Sequence, residues 1–301
     1  MNSYRFSSGV IWLLGAGSLF LPITPQRAVA QAGSSVRFKV VDLTPLRFVP
    51  DLQPEVSLVH GTMSINNLGQ VVGWAENGVH DPNCCCTQVL QFRPAVWDLG
   101  SGDQIHDLPL ISGDTSGAAT AINDNGQVVG ISGICDQALG RHTARHAVLW
   151  ENGGVTDIGN LGANWWNTPT AINQQGDVVG FAGDPAFVEG EILHAFIWTK
   201  DNGIKALKPL RGRVPEHVDS EAYGINEARQ VVGVSCDADA NCLAVIWDHG
   251  VYPTDLNDLK GGYSAILETA KDINDNGEIT GRAITDPVTG AREAYLAVPV
   301  Q

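Results

Sequence analysis

The chain has 301 residues with 33 acidic and 18 basic side chains, which gives a formal net charge of −15. A surface this acidic repels phosphate backbones, so nucleic acid is not expected as a partner. Beyond residue 30 the sequence has no second long apolar run, so no membrane span is expected there.

The first thirty residues have the pattern of a signal peptide. Arg5 supplies a short positive region, residues 10–21 are mostly apolar, and residues 28–30, Ala-Val-Ala, match a small-x-small cleavage site. The apolar stretch is short and rich in glycine, which disfavours an uncleaved membrane anchor. We therefore predict a secreted or periplasmic protein in which residues 31–301 form a single domain of five repeats.

One phrase recurs five times along that domain. Its copies occupy residues 64–73, 121–130, 171–180, 224–233 and 272–281, and their anchoring asparagines are Asn66, Asn123, Asn173, Asn226 and Asn274. Each copy joins an apolar residue to Val-Val-Gly or a close variant through Asn-x-x-Gly, which predicts a tight hairpin turn. Arg229 replaces the turn glycine in the fourth copy, so that turn is expected to differ or to be strained.

Two further apolar segments follow each hairpin, so each repeat is expected to hold four short strands. The fifth repeat lacks the last strand, and a copy of that strand, residues 40–46, precedes the first repeat. A repeat near 50 residues is typical of propellers and other arrays. A closed ring would let the N-terminal strand complete the last blade and would remove exposed edges. We predict an all-β, five-bladed β-propeller, with an open β-solenoid as the alternative.

The recurring segments resemble the HAF family of extracellular repeats. The signature tripeptide is present as His194-Ala195-Phe196, and residues 146–148, His-Ala-Val, are a near copy. The resemblance covers roughly residues 40–299. It implies export and a β-repeat architecture, and it carries over neither a catalytic residue nor a cofactor.

Six cysteines lie in the predicted domain, and an even number in an exported protein indicates disulfides. Cys236 and Cys242 bracket a short loop and are predicted to pair. Cys135 is expected to pair with one of Cys84, Cys85 and Cys86, and the sequence leaves that choice open. The absence of a Cys-x-x-Cys pair disfavours a metal site.

Residues that break the repeat are the candidates for function. His60, Glu221 and Glu268 are unrepeated ionisable residues at the entry to the first strands, which should approach a central channel. Two carboxylates that flank one bond are the machinery of glycosidases, so Glu221 and Glu268 are a candidate catalytic pair with His60 in proton transfer. The alternative is that these are solvated loop charges.

Aromatic residues near the same strands are candidates for ligand binding. Trp165 and Trp166 are predicted to stack on sugar rings or, alternatively, to pack on a neighbouring blade, and Tyr223 and His217 complete the predicted set. No nucleophile elbow, zinc motif or nucleotide loop occurs, and no cofactor or metal is expected. The leading hypothesis is a secreted protein that binds a small molecule, carbohydrate or protein on the face of the propeller that carries the longer connecting loops. The alternative is an extracellular hydrolase or lyase acting on a glycan or small molecule.

Overall fold

The described residues fold into five antiparallel sheets that follow one another in sequence, which confirms the all-β prediction. A computed structural model describes Leu43 and residues 60–84, 90–99, 104–135, 143–187 and 192–300. The predicted signal peptide, the rest of segment 40–46, Cys85 and Cys86 lie outside these residues.

Sheets one and two each contain four strands in chain order. Sheet one consists of β1 His60–Ile65, β2 Gln70–His80, β3 Leu90–Asp98 and β4 Gln104–Asp107. Sheet two consists of β5 Ser116–Ile122, β6 Val128–Gly133, β7 His146–Glu151 and β8 Gly154–Gly159.

Sheets three and four repeat this arrangement, and sheet five has three strands among the described residues. Sheet three consists of β9 Thr168–Ile172, β10 Val178–Gly183, β11 Leu193–Thr199 and β12 Gly203–Ala206. Sheet four consists of β13 His217–Ile225, β14 Gln230–Asp237, β15 Cys242–Asp248 and β16 Thr254–Asp255. Sheet five consists of β17 Ile266–Ile273, β18 Ile279–Asp286 and β19 Ala291–Ala297.

The predicted fourth strand of sheet four is cut short by α1, Leu256–Leu259. Asp255 acts as the N-cap, because its Oδ1 accepts a hydrogen bond from the backbone N–H of Asn257 at 2.8 Å. Within the described ranges, no helix is long and apolar enough to cross a membrane.

The core consists of apolar clusters between consecutive sheets. In β14, Val231 packs towards sheet three and Val232 towards sheet five, because successive residues of a strand point to opposite faces. A tryptophan recurs in the third strand of sheets one to four, and two of these belong to this packing. The buried Trp150 donates to the carbonyl of Pro109 at 2.6 Å, and the buried Trp247 donates to the carbonyl of Lys208 at 3.0 Å. Burial on both faces explains the nearly continuous apolar strands.

The Asn-x-x-Gly turns form one end of the sheets, which we call the turn end. Asn66 Oδ1 accepts from the backbone N–H groups of Leu68 and Gln70 and so closes its own turn. Asn66 Nδ2 donates to the carbonyl of Asn123 in the next sheet at 3.1 Å. The same inter-sheet bond joins the remaining neighbours, from Asn123 to Asn173, Asn173 to Asn226, and Asn226 to Asn274. We call this series the asparagine ladder.

Arg229 adopts the left-handed conformation that glycine supplies in the other turns, with φ at 59°. The turn therefore keeps its shape, and the expectation of strain is correct. The Arg229 guanidinium donates from Nε to Asp177 Oδ2 of sheet three at 2.6 Å, which adds a charged contact to this joint.

The first strand of every sheet contains a β-bulge. At the position that all five sheets share, the unpaired residues are Met63, Thr120, Thr170, Tyr223 and Lys271. Strands β13 and β17 each contain a second unpaired residue, Val218 and Glu268. The bulge brings a first-strand carbonyl close to the glycine of each Val-Val-Gly. A Cβ at Gly233 would lie 1.9 Å from the carbonyl oxygen of Glu221, and the other four positions show the same approach. The repeated glycine is therefore a steric requirement of the bulge.

The opposite end of the sheets, where the second and third strands are connected, is called the loop end here. The Cys236–Cys242 disulfide closes the connection of sheet four, as predicted. The Cys84–Cys135 disulfide joins the connections of sheets one and two and identifies the partner of Cys135. Both bonds are typical of proteins from oxidising compartments.

Candidate active or ligand site

The first strand of sheet four, β13, carries polar side chains towards the loop end. Asp219 and Glu221 are two residues apart in a regularly paired stretch, so they lie on the same face of the strand. Tyr223, the bulge residue, donates from its hydroxyl to Glu221 Oε2 at 2.8 Å. The structure thus brings together two of the predicted residues, Glu221 and Tyr223, and adds Asp219.

Burial changes the acidity of both carboxyl groups. Burial raises the pKa of Glu221, and the hydrogen bond from Tyr223 and the charge of Lys271 offset part of that rise. Burial and the nearby Glu221 carboxylate raise the pKa of Asp219 to about 7. Asp219 therefore exchanges its proton near neutral pH, unlike an ordinary aspartate.

Lys271 contributes a cation to this group from sheet five. Its ammonium lies 3.5 Å from the centroid of the Tyr223 ring, a cation–π distance. Burial lowers the pKa of Lys271, while the Glu221 carboxylate favours its charged form. Glu221 is therefore partly balanced by both Lys271 and Tyr223.

A cavity of about 320 Å³ lies over Asp219 and Glu221, and we call it the acidic cavity. Its walls are mostly apolar and come from the connections of sheets three and four. The lining consists of Phe187, Ile192, Val218, Ala238, Ala240, the Cys236–Cys242 disulfide and the carboxylates Asp219, Glu221 and Asp237. A concave, largely apolar site with a few convergent polar groups is typical of small-molecule sites.

Asp219 differs from the other two carboxylates of the acidic cavity. Its Oδ1 is buried without a hydrogen-bond partner among the described residues. Asp237 accepts hydrogen bonds from the backbone of Asp239 and from both the backbone and the amide of Asn241. Asp219 is therefore the carboxylate of this cavity that the described protein groups satisfy least.

Glu268 is held in an ion-paired site of its own on sheet five. It accepts from Arg282 Nε at 2.7 Å and from Arg292 Nη2 at 3.0 Å. Hydrogen bonding from Arg292 and Arg282 lowers the pKa of Glu268 despite its burial. Glu268 therefore stays ionised and is poorly suited to donate a proton, so the paired role predicted for it with Glu221 finds no support in this geometry.

His60 and the tryptophan pair lie apart from the acidic cavity. His60 is on sheet one, and its ring centroid is 6.2 Å from that of Trp97. Trp166 packs near Phe181 with ring centroids 6.4 Å apart. Trp165 covers Gly183, where an added Cβ would lie 2.4 Å from the indole. The packing alternative describes both tryptophans better than an open stacking platform, and their predicted ligand role remains untested.

His217 lies beside the acidic cavity and not in it. It is buried, and its Nδ1 is 3.0 Å from Ser235 Oγ. Burial lowers the pKa of His217, which favours the neutral ring. His217 lines a neighbouring cavity of about 400 Å³ together with Asp237, Arg213 and Leu243. Asp237 thus separates the two cavities.

Two residues important to the loop end were not among the predicted catalytic or ligand-binding residues. Asp219 precedes Glu221 by two residues, which is the spacing of one strand face, and its departure from the repeat, where sheet two has Ser116, was a signal that could have found it. Asp81 is fully buried and accepts hydrogen bonds from Thr115 Oγ1, Ser116 Oγ and the backbone of Cys135 at 2.7, 2.7 and 3.0 Å. Asp81 therefore anchors the loops that the Cys84–Cys135 disulfide joins.

Comparisons with known proteins assign no family to this chain. No protein-family model and no curated protein matches it. Among solved structures, it is similar to selenomethionine-substituted virginiamycin B lyase from Staphylococcus aureus at 11% identity and a TM-score of 0.30. That match covers 81% of this chain and 89% of the lyase chain. A likeness at this level carries no argument about activity.

Proposed function

We propose that this protein is an exported ligand-binding protein whose ligand site is the acidic cavity. The observation that carries the proposal is the half-buried Asp219–Glu221 pair lining a cavity of about 320 Å³ with apolar walls. Buried carboxylates are costly for the free protein, so their retention beside a cavity favours a ligand-binding role. The predicted signal peptide, the two disulfides and the resemblance to HAF repeats support export.

The proposed scaffold is a closed, five-bladed propeller in which residues 40–46 supply the missing strand of sheet five. Leu43 packs against the apolar cluster of sheet one. In sheets one to four, the residue at the same repeat position packs against the next sheet along the chain. These residues are Leu108, Ile158, Leu207 and Leu256. The packing of Leu43 matches this series, and this match supports the proposal of a ring over an open solenoid.

The asparagine ladder provides the test of closure. Among the described residues, no hydrogen bond links Asn274 to sheet one, whereas the other four asparagines each reach the next sheet. In a closed ring, Asn274 would donate to the carbonyl of Asn66. Spin labels on p-acetylphenylalanine at positions 68 and 276 would then be as close as labels at positions 125 and 175, which occupy equivalent sites on sheets two and three. A much longer 68–276 distance would favour the open solenoid.

The ligand-binding proposal is tested by thermal unfolding of the oxidised chain, residues 31–301, with oligosaccharides, small metabolites, amines and metal ions. A ligand at a hundred times its Kd stabilises the folded state by about 2.7 kcal/mol. We expect a selective rise in midpoint that persists in the exposed-surface control Glu293→Gln and is lost in Asp219→Ala. A rise that survives both Asp219→Ala and Glu221→Ala, or no rise with any compound, would refute the acidic cavity as the ligand site.

A hydrolase or lyase is the second candidate, because Asp219 has a pKa of about 7 and lies beside a second carboxyl group. A carboxyl group with that pKa can serve as general acid and general base at neutral pH. If the protein is an enzyme, Asp219 and not Glu268 forms the catalytic carboxylate pair with Glu221. Incubation with each stabilising compound, followed by NMR, separates the two functions: an enzyme converts the compound and loses turnover in Glu221→Gln, whereas a binding protein returns it unchanged.

A further inference from the structure

We infer that the acidic cavity takes an organic cation with an apolar body, such as a primary amine on a short aromatic or aliphatic group. The inference rests on the proposed function and adds the chemical class of the ligand. It follows from the charge balance, the walls and the size of the cavity.

Asp219 is the carboxylate of the acidic cavity that its surroundings compensate least. Glu221 has Tyr223 and Lys271, and Asp237 has the hydrogen bonds of its own loop. Among the described residues, no arginine, lysine or histidine forms an ion pair with Asp219. A cationic ligand would supply a positive charge to Asp219 and a hydrogen-bond donor to its unpartnered Oδ1.

The walls suit the hydrocarbon part of such a ligand. Ile192, Val218 and the two alanines present apolar surface, and the Cys236–Cys242 disulfide adds a polarisable group. Phe187 lines the cavity and is 46% exposed. Its ring is available to cover an alkyl or aryl group, or to contact the ammonium through its face.

The volume of the acidic cavity and the net charge of the protein narrow the class of ligand further. A volume of about 320 Å³ lies at the lower end of small-molecule sites, which favours a compact ligand over an oligosaccharide. The net charge of −15 attracts cations to the protein surface. A bare metal ion fits less well, since the described residues contain no cluster of three or more His, Cys, Asp or Glu side chains arranged to hold one.

The experiment is isothermal titration calorimetry at pH 8 with benzylamine and with benzyl alcohol, which has nearly the same shape and no charge. We expect benzylamine to bind at least tenfold more tightly than benzyl alcohol. We expect the preference to disappear in Asp219→Asn and to persist in Glu293→Gln. Near-ultraviolet circular dichroism of each variant verifies that it is folded.

The possible failures are distinguishable. Equal affinity for the two compounds, or a preference unchanged in Asp219→Asn, would overturn the cation assignment while leaving the acidic cavity as a site. Displacement of benzylamine by millimolar CaCl2 but not by choline would point to an inorganic-ion site and would also overturn it. If neither probe binds and the thermal panel gives no cavity-dependent shift, the proposed function fails as well.

Discussion

The turn end and the loop end of the sheets differ in which residues they contain and in what those residues do. At the turn end, all five sheets use the same asparagine to shape the turn, and the first four also use it to reach the next sheet. At the loop end, the equivalent positions differ from sheet to sheet. Where sheet two has Ser116 and Ala118, sheet four has Asp219 and Glu221. Repetition therefore identifies what holds the sheets together, and departure from it identifies where chemistry can reside.

The largest expected loss of stability follows from removing a disulfide of the loop end. Replacing both Cys84 and Cys135 by Ser opens a crosslink between residues 51 apart and should lower the free energy of unfolding by about 4 kcal/mol in the chain-entropy account. The same change at Cys236 and Cys242, which are six apart, should lower it by about 2 kcal/mol. Urea unfolding of both variants measures the difference, and equal losses would mean that loop length is not the controlling factor.

The second prediction tests whether the glycine after Val-Val is required for steric reasons. Gly233→Ala places a methyl group about 1.9 Å from the Glu221 carbonyl and should destabilise the protein by about 3 kcal/mol. Gly262→Ala is the control, because no atom lies within 4 Å of its added Cβ. Differential scanning calorimetry reports both changes. A nearly unchanged Tm for Gly233→Ala would show that the bulge can relax.

The third effect tests the asparagine ladder. Asn173→Ala removes the cap of its turn and the bond to the carbonyl of Asn226, and it should cost about 2 kcal/mol because both partners are buried. Asn276 is an exposed turn residue, so Asn276→Ala should change stability by less than about 0.5 kcal/mol. Similar losses in the two variants, measured by urea unfolding, would contradict the special role of the ladder.

The smallest effect is a pH dependence that belongs to the loop end. The folded-state pKa of Asp219, about 7, is above its ordinary value of 3.8, so the folded protein binds this proton more strongly than the unfolded chain. Between those values the free energy of unfolding falls as pH rises. We expect Asp219→Asn to remove about 1.5 kcal/mol of the fall between pH 5.5 and pH 7.5. Urea midpoints across that range measure it. A fall of the same size in Asp219→Asn and in Glu293→Gln would assign the pH dependence to other groups.

The sequence predicted the turn end well because its requirements are local and repeated. The asparagine and the turn glycine satisfy the backbone geometry of a turn within a few residues, so their spacing was sufficient. The inter-sheet bonds of the same asparagines and the close approach at the glycine after Val-Val involve more distant residues and were not predicted. Even the exception at Arg229 was recognisable, because one residue stood where the other copies have glycine.

The loop end was predictable in part. The Cys236–Cys242 pair followed from its short loop. Glu221 and Tyr223 were chosen as candidates because they break the repeat, and they are hydrogen-bonded to each other in the structure. Glu268 was equally unrepeated, yet two arginines from other strands neutralise it. Asp219 shares its cavity with Phe187 and Ile192, which lie in the connection of sheet three. Such long-range placement leaves no periodic signal in one sequence.

The bulges have a consequence for how this architecture can change over time. Each first strand holds at least one residue that pairs with no neighbour, and at the position shared by all five sheets these residues span Met, Thr, Tyr and Lys. A substitution there leaves the register of the sheet intact, because ladder pairing resumes on both sides. The fold thus offers mutation a small set of permissive positions, at least one per sheet, at which recognition can diversify while the scaffold is inherited unchanged.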